Sequence, residues 1–286
     1  MFGVGMVELA MLLVVPLAVI GVGVAALGRR RPVAPTREWS RVVGIRVLGG
    51  SVGLVAAVAA ASALDRGRGL MLAPAITGLG IVVGVALGET VVRPRRTPGP
   101  RSASLRARRV RTYVPRPLGL ALAALLALHL VTLALTTATA DGGDSYSCVV
   151  PGVMAGSHGP YPGSDYSVPL LGVLAVVALV AAVAARVVVR RPRGFAADED
   201  ADDALRVRSL TVIVAASGLA VAATHVGIAI TAASSLAGVP CAPVWAEPVS
   251  AVLAISVPVA FLVACWCAVR LFLNDRLQVT DPTPVR

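Results

Sequence analysis

The sequence predicts an all-α, polytopic membrane protein: one domain, a bundle of seven transmembrane helices with its N-terminus outside and its C-terminus in the cytoplasm. Three observations carry this. Seven apolar segments are each long enough to cross a hydrocarbon core of about 30 Å, which takes roughly 20 helical residues. Hydrophobic residues make up 57% of the 286-residue chain and charged ones 14%, and the mean hydropathy is +0.82, a balance soluble domains do not have. Finally, the arginines gather on alternate connections, which sets an orientation. No stretch between segments exceeds about 30 residues, too short to bury a core of its own, so no soluble domain is expected.

The first segment, 6–28, begins after Met1 to Val7 without a basic residue and is followed at once by Arg29, Arg30 and Arg31. A cleaved signal peptide has the reverse order, so this segment reads as a span with an outer N-terminus. The second, 43–64, carries Gly49, Gly53, Ala57 and Ala61, and the third, 70–92, carries Gly80, Gly84 and Gly88. Small residues four apart line one helical face and let two backbones approach closely. These faces are expected to pack on one another, with a seam between two copies of the chain as the alternative. Arg46 and Glu89, near the cytoplasmic ends of these segments, could pair across the hairpin, but snorkelling to the interface explains both more simply.

The loop from Arg93 to Pro115 is the most basic segment. Arg93, Arg95, Arg96, Arg101, Arg106, Arg108, Arg109 and Arg111 lie in it, with Arg116 just beyond and no acid. Such a cluster attracts anionic lipids of the inner leaflet and fixes topology. Pro-broken sequence of this length builds no folded basic surface, so nucleic acid is not an expected partner. The bilayer and its anionic inner-leaflet lipids are, while homo- or hetero-oligomerisation stays open. All 26 basic residues are arginine and none is lysine, a compositional habit of GC-rich coding rather than a sign of phosphate recognition. The missing lysine also excludes a retinal Schiff base.

The fourth segment, 118–138, leads into an outer loop, 139–168, that contains no arginine. It is rich in Gly, Ser, Pro and Tyr without periodicity, and it reads as irregular. Tyr146, Tyr161, Tyr166 and Trp245 are expected as outer interfacial anchors, with Trp39, Tyr113, Trp266 and Phe272 at the inner boundary. The fifth segment, 168–189, ends in Val188-Val189-Arg190-Arg191, similar to Val91-Val92-Arg93, a faint hint of internal duplication. The following loop carries Asp198, Glu199, Asp200, Asp202 and Asp203, available to the arginine loop as exposed partners. In the sixth segment, 209–236, Ala223, Gly227, Thr231 and Ser235 form another small row whose hydroxyls could bond across helices. The seventh, 249–272, completes the bundle. Cys148 and Cys241 are the cysteines outside the membrane, both on the outer side, and a disulfide between them is expected.

The run Ser104-Leu105-Arg106-x-Arg108-x-Val110-x-x-Tyr113-Val114-Pro115 leading into a span resembles uncharacterised multi-spanning membrane proteins of high-GC actinobacteria. The resemblance covers about a dozen residues and the general layout of spans. It implies a Gram-positive-type plasma membrane and brings no activity and no catalytic residues.

Candidate chemistry starts from ionisable side chains at membrane depth. His129 lies near the middle of the fourth segment and His225 in the outer half of the sixth, within reach of one cavity if their helices adjoin. Such a pair suits a proton relay, a haem or a transition-metal ion, although two ligands alone make a poor metal site. Neutral helix packing is the plainer reading, and no cofactor or metal is predicted. Gly49-Gly50-Ser51-Val52-Gly53 has the letters of a nucleophile elbow but lies inside an apolar helix rather than on a strand-to-helix turn. Ser51 with His129 as base is therefore a remote enzyme reading, and no catalytic residue is assigned. Cys265 and Cys267 point different ways on a helix. No HExxH, Walker A, GxGxxG or CxxC pattern occurs. With Pro16, Pro74 and Pro258 able to bend spans, a transport-related or small-ligand-binding membrane component is expected, with an accessory or signalling subunit as the alternative.

Overall fold

A computed structural model describes residues 37–64, 67–92, 110–192 and 199–273. The expected first span, 6–28, lies outside these residues, and of the expected anchors Trp39 and Phe272 only the backbone is described. The other six apolar segments are helices, each long and apolar enough to cross a membrane. These are α1 (Arg37–Ala63), α2 (Arg68–Val91), α3 (Arg116–Thr139), α4 (Ser164–Arg190), α5 (Glu199–Ala237) and α6 (Ala246–Leu273), with a single helical turn at Val110–Tyr113 before α3.

The helices surround α5, which packs against α2, α3, α4 and α6. Its apolar stretch is 67% buried, against 22–33% in the other five helices. Among the described residues helix α1 sits at the edge, packed chiefly on α2, and leaves Val47, Val52, Val55 and Val58 exposed. The close approach of α1 to α2 follows from glycine. A methyl group on Gly80 would sit 2.5 Å from the Gly53 Cα, and one on Gly49 would sit 2.6 Å from the Gly80 carbonyl oxygen. Gly84 and Gly88 continue the seam against Arg46 and Val42. The small row on α5 behaves otherwise. Gly227 has nothing within 4 Å of an added methyl, Thr231 bonds back to the Gly227 carbonyl at 3.0 Å, and Ser235 reaches the outer loop rather than another helix.

Two further expectations are corrected. Helix α5 begins ten residues before the expected start at 209, because its acidic first turns are helical even though they lower the local hydropathy. The loop read as irregular contains an antiparallel hairpin, β1 (Tyr146–Val150) and β2 (Met154–His158), in register from Tyr146 opposite His158 to Val150 opposite Met154. Pro151 and Gly152 close it, Gly152 at φ 71°, a left-handed conformation glycine adopts freely. A disulfide joins Cys148 of β1 to Cys241 in the α5–α6 turn. Tyr146, Tyr161 and Tyr166 are 4%, 0% and 2% exposed, so they are packing residues of this cap and not an interfacial belt. Tyr146 and Tyr161 pack with Leu236, Val239 and Ala246 from the ends of α5 and α6. Trp245, at 39%, keeps an exposed edge.

Candidate functional site

Two buried polar clusters lie along α5. At the end opposite the hairpin, Glu89 of α2 is the hub of the first. One carboxylate oxygen accepts from Arg46 Nη2 and from Ser209 Oγ, both at 2.7 Å, and the other accepts from Arg191 Nη1 at 2.7 Å. Arg206 Nη2 lies 3.0 Å from Asp202 and its Nη1 2.7 Å from Asp203, while Arg191 lies 4.0 Å from Asp202. Three guanidiniums thus meet three carboxylates. Burial makes each charge costly unless it is paired and hydrogen-bonded, and the cluster meets that condition across α1, α2, α4 and α5. Snorkelling is therefore wrong for Arg46 and Glu89, which are 8% and 5% exposed. Asp202 and Asp203, read as loop acids for the arginine loop, serve Arg191 and Arg206 instead; Asp198 lies outside the described residues.

The second cluster brings together the two membrane histidines. His129 of α3 and His225 of α5 are both fully buried, with Nδ1 atoms 3.4 Å apart and rings meeting edge to face at 5.6 Å between centroids. His225 Nε2 lies 3.0 Å from Ser256 Oγ of α6. Counting protons assigns the tautomers. With the Ser256 hydroxyl hydrogen assigned to the Leu253 carbonyl at 2.7 Å, the contact with His225 is donated by His225 Nε2–H. His225 Nδ1 is then a lone pair, and His129 Nδ1–H donates to it. His129 Nε2 is left as a bare acceptor, buried and without a hydrogen-bond partner.

This chain of contacts can take a proton at His129 Nε2 and share it with His225. It leaves no room for a macrocycle between two touching rings, so the pair does not sandwich a haem. Among the described residues no cluster of three or more His, Cys, Asp or Glu side chains is placed to hold a metal ion. Ser51 is exposed on α1, whereas His129 is buried on α3 beside α5, and the structure does not bring them together as nucleophile and base. Cys267 is buried and Cys265 half-buried. Of the arginines expected to meet lipid, Arg111 is exposed; Arg93, Arg95, Arg96, Arg106, Arg108 and Arg109 lie outside the described residues.

The sequence pointed to both histidines and to Arg46 with Glu89, but not to Arg191, Asp202, Arg206, Ser209 or Ser256. The spacing of Asp202 and Arg206, four apart, is the helical ion-pair signal that would have extended α5 toward its true start. No family model, curated protein or solved structure matches this chain, and the functional reading rests on the geometry.

Proposed function

We propose that this chain is a multi-pass plasma-membrane protein, N-terminus outside and C-terminus cytoplasmic, with a transport-related role in which the His129–His225 pair holds and relays a proton. The observation that carries the reading is the 3.4 Å contact between two fully buried imidazoles of different helices. Imidazole is the side chain whose ordinary pKa lies within the physiological range, and an ionisable group at membrane depth is a functional hypothesis by default. The bare Nε2 of His129 supplies the acceptor such a relay needs. Self-association and the basic loop's contact with anionic lipid belong to the same proposal as accompanying properties.

Reconstitution tests it. Liposomes carrying the purified protein and an interior pH-sensitive dye dissipate an imposed pH gradient faster than empty liposomes, and His129→Gln and His225→Gln each return the rate at least about tenfold toward the empty value, a floor below the roughly 10²- to 10⁴-fold that positioned proton transfer contributes. Wild-type liposomes as tight as empty ones would overturn it.

A further inference from the structure

We infer that the proton site is reached from the hairpin end of the bundle, along a seam of hydroxyl oxygens beside His129. This rests on the proton-relay reading above.

Helix α3 is chemically lopsided. From Pro117 to Leu128 no side chain carries nitrogen or oxygen, whereas His129 is followed by Thr132, Thr136, Thr137 and Thr139. Thr132 and Thr136 are 2% and 0% exposed and stand three and seven residues beyond His129, on the same face of the helix. Each spends its one hydroxyl hydrogen on its own backbone, Thr132 on the Leu128 carbonyl at 2.9 Å and Thr136 on the Leu133 carbonyl at 3.2 Å. Both oxygens therefore offer lone pairs alone, as His129 Nε2 does. A row of buried acceptors without donors suits water or hydronium, which bring donors with them.

The row continues to the hairpin end. Thr139 lies 2.8 Å from the Leu135 carbonyl and 2.7 Å from the Tyr161 hydroxyl. Ser235 lies 3.0 Å from the Pro160 carbonyl and 3.2 Å from His158 Nδ1. On the arginine side α3 offers no such oxygen, while α5 carries Thr224 and Ser217, each bonded to its own backbone, and the apolar cluster around the pair lines both sides of it, from Leu125 and Ala264 to Leu133 and Ile228.

The test uses the reconstituted full chain with Cys265 and Cys267 replaced by Ala and the Cys148–Cys241 bond kept. A single cysteine at Thr136 is exposed to silver ion, a thiol ligand small enough for a water path, on the hairpin side of the membrane. Free thiol is then counted after unfolding. Silver protects Thr136→Cys. An unprotected Thr136→Cys overturns the seam, whatever the proton flux. Protection as expected with a wild-type protein that carries no protons upholds the seam and overturns the transport reading. Where flux is present, Thr136→Val slows it about tenfold, the loss of one buried hydrogen-bonding oxygen, and Thr136→Ser restores it; equal flux in wild type and Thr136→Val counts against the seam.

Discussion

Glu89 shows what a single side chain does when its position forbids it water. Three donors reach it at 2.7 Å from α1, α4 and α5, so removing it strands Arg46 and Arg191 as buried, uncompensated cations. Breaking such a cluster from one side costs about 3 to 5 kcal/mol, and Glu89→Ala is expected to lose that much in detergent unfolding. A loss below about 1 kcal/mol, the scale of exposed ion pairs, would show that the arginines find water instead. At the other end, burial raises the Tyr161 hydroxyl above its ordinary pKa of 10. A raised acid favours the neutral form in the folded state, so its contribution is complete below pH 10 and is lost as pH climbs through the raised value. Tyrosinate absorbance in the folded protein should therefore lag that of the unfolded chain; coincident titrations would contradict the burial.

At the scale of elements, the α1–α2 seam is set by the absence of side chains. Gly80→Val pushes against the Gly53 Cα and the Gly49 carbonyl, neither of which can yield, and should lower thermal stability by about 1 to 3 kcal/mol as an overpacked contact does. Gly172→Ala on α4, where an added methyl meets nothing within 4 Å, should be neutral or gain up to about 1 kcal/mol from helix propensity. Equal melting of the two variants would mean that α1 is not held by close approach. The six helices were legible because lipid demands long apolar runs whatever their partners. The first turns of α5 were not, since Asp200, Asp202 and Asp203 depress hydropathy while the buried Arg191 and Arg206 that neutralise them come from packing. The hairpin was missed although Pro151-Gly152 between Val149-Val150 and Val153-Met154 is a turn signal: its strands are five residues each, and much of what holds them is the cap beneath. The histidines were legible as residues, their meeting was not, because it depends on α3 lying against α5.

For the whole molecule, the arginine bias predicts an orientation of the bundle. Reporters fused after Leu64, Ala140 and Val239 should read outside and those after Arg31, Ser104 and Ala201 inside; two or more reading the opposite way would overturn the orientation or the span count. The Cys148–Cys241 bond closes a span of 93 residues that contains both α4 and α5, and this has a consequence for how the protein is made. Cys148 leaves the ribosome with no partner on its side of the membrane and waits until the most buried helix of the bundle has been threaded and Cys241 has followed. At 5 to 20 residues per second that wait is roughly 5 to 20 s. The bond can thus close only after α5 has crossed: a chain whose α5 fails to cross keeps Cys241 on the opposite side from Cys148, and both thiols stay unpaired.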